Sequence, residues 1–304
     1  MRDGKLKQSC YVPSSSAEVI GNNLDLVTEI LLRVPVKPLF KFKCVSKQWL
    51  SLISDPKFCA SHTHHQPPTA PSALFLLNYL ASSPHPPVLC LAFDPLKSFN
   101  YKVVCFYQVV SGEYQIDVYS SETGSWGLNQ IPFVNPPPLK IHEWVFCNDA
   151  IHWCSLEENS QYFDVSSESV NILPMPPRGK LDITYFGGSR GHLHMGVGIS
   201  RLVLEFDIWE LKEDYSGWFI KYHLDLHSMR RVSANRCPLS VLSLIRAEKE
   251  DESTIVFVVD GRAMSYNLYD RRSKMLCDLL QETNPYSGYL KFHAYEYFET
   301  LFHV

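Results

Sequence analysis

The sequence lacks the features that mark secreted and membrane-embedded chains. No apolar run approaches the ~18 residues that a membrane-spanning helix needs, and no Asn-x-Ser/Thr acceptor for glycans occurs. Residues 1–20 are charged at Arg2, Asp3, Lys5 and Lys7 without an apolar core, so they do not resemble a secretory signal. The nine cysteines are odd in number and form no Cys-x-x-Cys pair, which favours reduced thiols. We expect a soluble chain located in the cytoplasm, the nucleus or both.

A surplus of positive charge is also missing. The formal net charge is −4, so electrostatics give no reason to expect nucleic acid or an anionic membrane as the main partner. No glycine-rich phosphate loop follows a strand-like segment, and no Asp/Glu/His pattern recurs along the chain to supply a catalytic centre. We therefore expect no cofactor, no bound metal and no catalytic residues.

The character of the sequence changes near residue 70. Residues 22–60 have apolar positions at helical spacing, and residues 66–71 (Gln-Pro-Pro-Thr-Ala-Pro) are typical of a linker. From Ala73 onward, short segments rich in Val, Ile, Phe and Tyr alternate with turn-forming residues. We predict a tail at residues 1–21, a helical domain at 22–62, a linker at 63–72 and an all-β domain at 73–304.

Three helices are predicted in the helical domain. Asn22 or Asn23 can cap the first helix, which Pro35 ends. Lys37-Pro38 begins the second, because proline loses no hydrogen bond at the first helical position. Ser46 can cap the third, which Asp55-Pro56 ends. On the first helix, an apolar arc of roughly 160° contains Leu24, Leu26, Val27, Ile30, Leu31 and Val34.

This helical domain is too small to bury its own apolar surface. Units below ~40 residues rarely fold alone, and the apolar arc is wider than a bundle of short helices can cover. Either the β domain or another protein must cover the remainder. No acidic residue lies between positions 30 and 54, so we expect an outside partner to be acidic. The basic residues of this stretch are Arg33, Lys37, Lys41, Lys43 and Lys47.

The β domain repeats a strand followed by a turn. Tyr119-Ser-Ser-Glu and Val165-Ser-Ser-Glu lie 46 residues apart, and a related Trp209-Glu-Leu-Lys lies 44 residues further on. Periods of ~40–50 residues are typical of propeller blades with four strands each. The next candidate, Leu268-Tyr-Asp, comes later than one period, so the blade count stays open.

Three motifs in the helical domain occur in a specific order: Val34-Pro-Val-Lys, Lys43-Cys-Val-Ser-Lys and Trp49, followed by Ser54-Asp-Pro-Lys-Phe58. Together with the segment from Asp25, they resemble the F-box of the plant F-box-associated family, whose C-terminal domain is a kelch-like propeller. The resemblance implies docking to the Skp-type adaptor of a Skp–cullin–F-box ubiquitin ligase. The residues that it implies as adaptor contacts are Leu26, Ile30, Leu31, Val34, Pro35, Leu39, Cys44, Val45 and Trp49.

The β domain resembles the same family in Phe93-Asp-Pro, Val118–Trp126, Asn148–Trp153 and Leu204–Leu211. Two departures from the family pattern occur. Asn22-Asn23 stands where the family usually has Leu-Pro, and Leu74–Leu80 runs almost directly into Val88–Asp94, where the family has further strand and turn sequence. About one blade of sequence is missing, so we expect a shortened propeller.

Two clusters could carry chemistry, but each fits a structural role better. Gly187-Gly-Ser-Arg-Gly191 matches the Gly-x-Ser-x-Gly nucleophile elbow, yet an alternating strand follows where a helix is required, so we predict a hairpin turn. Cys147, His152 and Cys154 lack the paired spacing of structural zinc sites, so we expect them on strands and in the core.

Two histidine groups remain. His62, His64 and His65 lie in a polar run that we interpret as solvated, and His192 and His194 share one strand face, where packing is the expected role and a pocket the alternative.

The fold class expected is α+β multidomain: a small three-helix F-box followed by an all-β, propeller-like domain, one blade short. We predict a non-catalytic substrate-recognition subunit that binds a Skp-type adaptor, through it a cullin–RING ligase, and an unknown target protein. Two alternatives stay open. One is a propeller-type enzyme or sugar-binding module, and the other is an F-box scaffold or weak competitor that acts outside the ligase.

Overall fold

The computed structural model describes residues 23–66, 73–78, 88–94, 97–98, 100–110, 113–127, 144–154, 160–176, 182–199, 204–229, 239–279, 292–297 and 300–301. The chain divides into two compact units: residues 1–67 with 300–303, and residues 68–299 with 304. Over the described ranges, no helix is long and apolar enough to cross a membrane.

The described part of the first unit contains four helices: α1 Leu24–Leu31, α2 Val36–Phe42, α3 Lys47–Ile53 and α4 Pro56–His65. The two predicted caps are confirmed. Asn23 Oδ1 accepts a hydrogen bond from the Leu26 N–H at 3.2 Å, and Ser46 Oγ accepts one from the Trp49 N–H at 3.1 Å. Each bond satisfies a backbone donor that would otherwise lack an intrahelical partner at the start of the helix.

Helix α4 is additional to the three helices that the sequence predicted. Asp55-Pro56, interpreted as the end of a helix, also begins the next one: Asp55 Oδ1 accepts from the Lys57 and Phe58 amides, and Pro56 occupies the first turn. The interpretation of His62 as solvated is wrong. Its side chain is buried in α4, and its Nε2 lies 2.7 Å from the Val34 carbonyl oxygen. His64 and His65 are exposed.

The core of the helical unit includes a residue from the far end of the chain. Buried side chains from all four helices pack together with Leu301, and Cys59 Sγ lies 3.8 Å from the Leu301 carbonyl oxygen. The buried members of this cluster are Val27, Leu31, Leu32, Leu39, Ile53, Phe58, Cys59 and Leu301. The helical unit is therefore not assembled from one continuous stretch of sequence.

The second unit is made of antiparallel sheets. Blade 1 consists of β2 Val88–Ala92, β3 Lys102–Val110, β4 Glu113–Ser120 and β5 Ser125–Gly127. Blade 2 consists of β6 Trp144–Cys147, β7 Ala150–Trp153, β8 Gln161–Asp164 and β9 Ser169–Ile172. Blade 3 consists of β10 Asp182–Ser189, β11 His192–Gly198, β12 Glu205–Leu211 and β13 Trp218–Asp225. Blade 4 consists of β14 Ser240–Ile245, β15 Thr254–Val259, β16 Arg262–Asn267 and β17 Ser273–Asp278.

The four blades form a propeller-like arrangement. Within each blade the strands pair in chain order, and the first strands of successive blades (β2, β6, β10 and β14) approach one another, so they are the inner strands. A two-stranded sheet follows blade 4: β1 Ala73–Asn78 pairs antiparallel with β18 Phe292–Tyr297, and β18 lies beside β14. Segments from opposite ends of the second unit thus join in one sheet. Short 3-10 helices lie at His227–Met229 and Glu250–Glu252.

The strand-and-turn repeat predicted from the sequence falls on one structural position. Tyr119, Val165, Trp209 and Leu268 lie in, or one residue after, β4, β8, β12 and β16, which are the third strands of the four blades. The steps between these positions are 46, 44 and 59 residues, so the irregular step is the last one, between blades 3 and 4. The blades also differ in strand length. The strands of blade 2 have four residues each, whereas those of blade 3 have seven or eight.

Polar contacts cross the boundaries between blades 1 and 2, 2 and 3, and 3 and 4, in addition to the apolar cores. Lys97 Nζ donates to Asp149 Oδ2 at 2.6 Å between blades 1 and 2, and His152 Nε2 lies 2.7 Å from the Tyr215 hydroxyl between blades 2 and 3. Between blades 3 and 4, the Leu244 N–H donates to the Tyr185 hydroxyl at 3.1 Å. These bonds orient neighbouring blades, a specificity that apolar contact alone does not supply.

Replacing Gly187 by alanine should destabilise the propeller unit. Tyr185 lies two residues earlier on β10, and its hydroxyl and ring occupy the space that a Cβ at position 187 would need. We expect Gly187→Ala to lower the free energy of unfolding by about 1–3 kcal/mol, as overpacking typically does, in denaturant titrations followed by circular dichroism. Gly127→Ala is the matched control, because its Cβ would lie 3.6 Å from the nearest atom, an ordinary contact. Equal stability of the two variants would contradict the role of Gly187.

Candidate functional site

Helix α1 divides its apolar residues between two directions. Val27 and Leu31 are buried in the core of the helical unit. Leu26 and Ile30, four residues apart and thus on one side of the helix, are 48% and 51% exposed. The wide apolar arc predicted from the sequence therefore serves both the core and an outward surface.

The remainder of the helical unit also leaves apolar side chains uncovered. In α2, Leu39 is fully buried while its neighbour Phe40 is exposed, and the turn before α3 exposes Val45 to 61%. Leu50 on α3 is exposed as well. We call Leu24, Leu26, Ile30, Phe40, Val45 and Leu50 the exposed apolar set. Large apolar groups left in water on so small a unit mark an interaction surface.

The structure places the nine residues predicted to contact an adaptor in three environments. Leu31 and Leu39 are buried, and Val34 and Trp49 are half-buried against the core. Leu26, Ile30, Pro35, Cys44 and Val45 are exposed. The buried pair can reach a partner only through the side chains that they support, whereas the exposed five are available directly.

Three exposed apolar residues were not among the predicted contacts: Leu24, Phe40 and Leu50. Leu24 lay within the predicted apolar arc, but spacing alone could not say which part of that arc faces out. For Phe40 and Leu50, the sequence offered one signal: each is an apolar residue on a short helix, directly after a residue that packs at the core. Lys43 Nζ lies 5.3 Å from the centre of the Phe40 ring, a cation–π contact that adds positive charge beside this aromatic group.

The basic residues of the helical unit are largely available to a partner. Arg33 forms an exposed ion pair with Glu29 at 3.1 Å, which contributes little to stability because solvent screens it. Lys41 and Lys47 are exposed and have no carboxylate partner within the part of the chain that the structure describes. The exposed apolar set therefore lies on a unit with uncompensated positive charge.

The serine of the Gly187–Gly191 motif lies at the end of a hairpin strand. Ser189 is the last residue of β10, and Arg190 and Gly191 form the turn into β11 with φ of 50° and 74°. The Ser189 hydroxyl accepts a hydrogen bond from the Arg246 N–H at 3.0 Å. The hydroxyl therefore joins blades 3 and 4, and a strand follows the turn where a nucleophile elbow would require a helix.

Cys147, His152 and Cys154 lie near one another in sequence but belong to different packing clusters. Cys147 packs between blades 2 and 3, and Cys154 packs against Met195. His152 is buried between Val145 and Tyr215, and burial lowers its pKa to about 4. Within the described ranges, no three His, Cys, Asp or Glu side chains are placed to hold a metal ion.

His192 and His194 surround a buried carboxylate. Glu210 Oε1 lies 3.2 Å from His192 Nδ1, while Glu210 Oε2 accepts from His194 Nε2 and from Arg246 Nη1, both at 3.1 Å. Burial lowers the pKa of both histidines, and the nearby Arg246 charge acts in the same direction. Burial opposes ionisation of Glu210, but the His194 hydrogen bond and the Arg246 charge outweigh it and hold the pKa of Glu210 low. The group joins blades 3 and 4 through a Glu210–Arg246 ion pair.

Comparison with known proteins identifies the helical unit. Residues 23–61 match the family model of the F-box domain. This range contains all nine predicted contacts. It also contains the whole exposed apolar set: five of the six residues lie in helices α1–α3, and Val45 lies in the turn between α2 and α3.

Relatives in Arabidopsis thaliana are named as F-box proteins. An F-box protein of this plant is 24% identical over 413 residues, covering 100% of this chain and 97% of the relative. A putative F-box protein of the same plant is 52% identical over 52 residues, 17% of this chain and 13% of that relative. The first alignment has 413 positions, 109 more than the 304 residues of this chain, so the relative has segments that face gaps here.

Likeness to solved structures is weak. TolB from Acinetobacter baumannii aligns with a TM-score of 0.35 and 10% identity, covering 58% of this chain and 41% of that chain. Nothing about this chain follows from a score this low.

Acidification should destabilise the propeller unit through His152. In the unfolded chain this residue has its ordinary pKa near 6.5, whereas in the fold the pKa is about 4. Between these values the unfolded state binds a proton that the folded state excludes, so stability falls as pH falls from 6.5 to 4, by about 3 kcal/mol in total. We expect urea titrations from pH 7 to pH 4 to show this loss in the wild type and a smaller one in His152→Gln. Parallel pH profiles for the two proteins would rule out His152 as the cause.

Proposed function

Because the chain carries an F-box domain at residues 23–61, we propose that it is the substrate-recognition subunit of a Skp–cullin–F-box ubiquitin ligase. The helical unit docks a Skp-type adaptor, which connects the chain to a cullin–RING ligase. The propeller unit binds the target protein. The chain contributes no catalytic group of its own, and the assembly acts by holding the target close to the ubiquitin-charged enzyme.

The observation that carries this proposal is the exposure of Leu26, Ile30 and Val45 on a unit with little core of its own. Burying one such side chain contributes about 1.5–3 kcal/mol, so covering several of them supplies a substantial part of the free energy of an interface. The nine predicted contacts divide accordingly. The exposed residues touch the adaptor, and Leu31, Leu39, Val34 and Trp49 hold the helices that present them.

Charge supports the choice of an acidic partner surface. Lys41 and Lys47 have no described carboxylate partner, and Lys43 contacts the Phe40 ring rather than an acid. An acidic adaptor surface would pair with them at the rim of the apolar contact, which raises the association rate and fixes orientation more than it raises affinity. We therefore propose that binding weakens with added salt.

The propeller unit is suited to hold a target. Its blades are fixed to one another by apolar cores and by contacts such as Lys97–Asp149 and Glu210–Arg246. A rigid scaffold of this kind positions binding residues without the cost of ordering them when a partner arrives.

Binding of a purified Skp-type adaptor tests the proposed docking face. We expect Ile30→Asp and Val45→Asp each to weaken binding at least tenfold in calorimetric titration, because a carboxylate replaces an apolar contact and also repels an acidic partner. Both positions are exposed, so neither substitution disturbs the core.

The matched control is Ile199→Asp, an exposed isoleucine of the propeller unit, which should bind the adaptor as the wild type does. Full retention of binding by both helical variants would refute the docking face. Co-purification of the cullin with the adaptor distinguishes a ligase subunit from a scaffold or competitor that acts outside the ligase.

A further inference from the structure

Blade 1 differs from the other blades in how its two faces are covered. Blades 2, 3 and 4 each contribute buried side chains to clusters on both faces. One face of blade 1 packs against blade 2 through Val88, Val104, Phe106 and Ile116. The residues that the structure describes on the opposite face belong to none of the buried clusters. We call this opposite side the free face of blade 1.

The free face is apolar and aromatic across all four strands. The strand register places Leu91, Val103, Tyr119 and Trp126 side by side, in a row from the innermost strand to the outermost. Leu91 is 46% exposed and Trp126 is 50% exposed, and the rings of Tyr119 and Trp126 lie 5.5 Å apart. A continuous apolar row that water reaches at both ends is a surface for a partner.

A second row places one carboxylate on the same face. Leu89, which is 63% exposed, stands beside Cys105, and Cys105 stands beside Asp117. Asp117 Oδ2 accepts a hydrogen bond from the Tyr107 hydroxyl at 2.9 Å, and its side chain keeps partial exposure. Among the described residues of the free face, Asp117 is the single carboxylate and no lysine or arginine is present. This face therefore has a negative centre with apolar groups on its flanks.

We propose that the free face of blade 1 binds an extended segment of the target protein in which a lysine or arginine is flanked by apolar residues. The cation pairs with Asp117 and lies near the Tyr107 and Tyr119 rings, whose faces attract positive charge. Apolar residues of the segment cover Leu89, Leu91 and Trp126. This inference rests on the proposed function, because it names the class of target segment that the propeller unit recognises.

The spacing of the two rows fits an extended peptide. Tyr119 and Asp117 are two residues apart on β4, which separates their rows by about 6.5–7 Å. Alternate residues of an extended partner have the same separation. A basic residue over Asp117 thus places the residue two positions away over the row that contains Tyr119, where an aliphatic or aromatic side chain fits.

Selection from a random peptide phage library on the purified full-length chain tests the proposal. We expect enriched peptides to contain a lysine or arginine two positions from an aliphatic or aromatic residue. A parallel selection on the Leu89→Asp/Leu91→Asp double variant should not enrich them. Both leucines are exposed, and thermal unfolding monitors whether the variant keeps its fold.

Single substitutions locate the binding site. An enriched peptide, synthesised with a fluorescent label, should bind Asp117→Asn about fivefold more weakly than wild type, and Leu91→Asp at least about tenfold more weakly. Asn keeps an acceptor for the Tyr107 hydroxyl and removes only the charge. Ile172→Asp, an exposed isoleucine on β9 of blade 2, is the matched control and should bind as wild type does.

Four outcomes overturn the proposal: no enrichment over the double variant, enriched peptides without a basic residue, equal weakening by Ile172→Asp, and a dimer in light scattering that Leu91→Asp dissociates. The last would show that a second copy covers the face. Adaptor titrations on the wild type separate this proposal from the proposed function. Absence of adaptor binding by the wild type refutes the ligase role alone, whereas adaptor binding by the wild type without peptide binding refutes the free face alone.

Discussion

The propeller unit depends on one physical constraint, which is that the apolar side chains on both faces of a blade must be covered. The strands of blades 2 to 4 carry buried residues toward both neighbours, as in blade 4, where Phe257 faces blade 3 and Val256 faces β18. A sheet with two apolar faces cannot be stable alone in water, so each blade requires the next one. The polar contacts at the boundaries, such as Glu210 with Arg246, then select one relative orientation. Among the described residues, blade 1 contributes to a buried cluster on one face only, and Leu89, Leu91 and Trp126 on its other face are exposed.

The helical unit meets the same constraint in a different way. Its core draws on four helices and on Leu301, and even so it leaves Leu26, Ile30 and Val45 exposed. Such a unit cannot improve its own packing without more chain, so a partner that covers this surface stabilises it as well as binding it. A partner at this surface would therefore link stability to association, whereas in the propeller unit buried apolar clusters lie between neighbouring blades.

The helix caps of the helical unit were accessible from local sequence chemistry. Asn23 and Ser46 were identified as caps because their side chains can satisfy free amides at a helix start, and both perform that role. Helix α4 was missed because Asp55-Pro56 fits the end of one helix and the start of another equally well. His62 was misassigned for the same reason: in a segment without a predicted helix, nothing placed it opposite the Val34 carbonyl. The spacing of apolar residues could not predict which part of the α1 arc faces the core. Helical periodicity fixes the angles between side chains but not the direction of the core, so it could not show that Val27 and Leu31 are buried while Leu26 and Ile30 are exposed.

The sequence by itself determined the two kinds of domain, the F-box motifs and the blade repeat, because periodicity, capping and turn chemistry act over a few neighbouring residues. Only the tertiary structure decided that β1 pairs with β18, that Leu301 completes the helical core, and that Leu89, Leu91 and Trp126 of blade 1 are exposed. The first two of these join positions far apart in the chain. Their physical basis is the burial of apolar surface, which depends on what lies nearby in space and leaves no local signature in the residues that provide it.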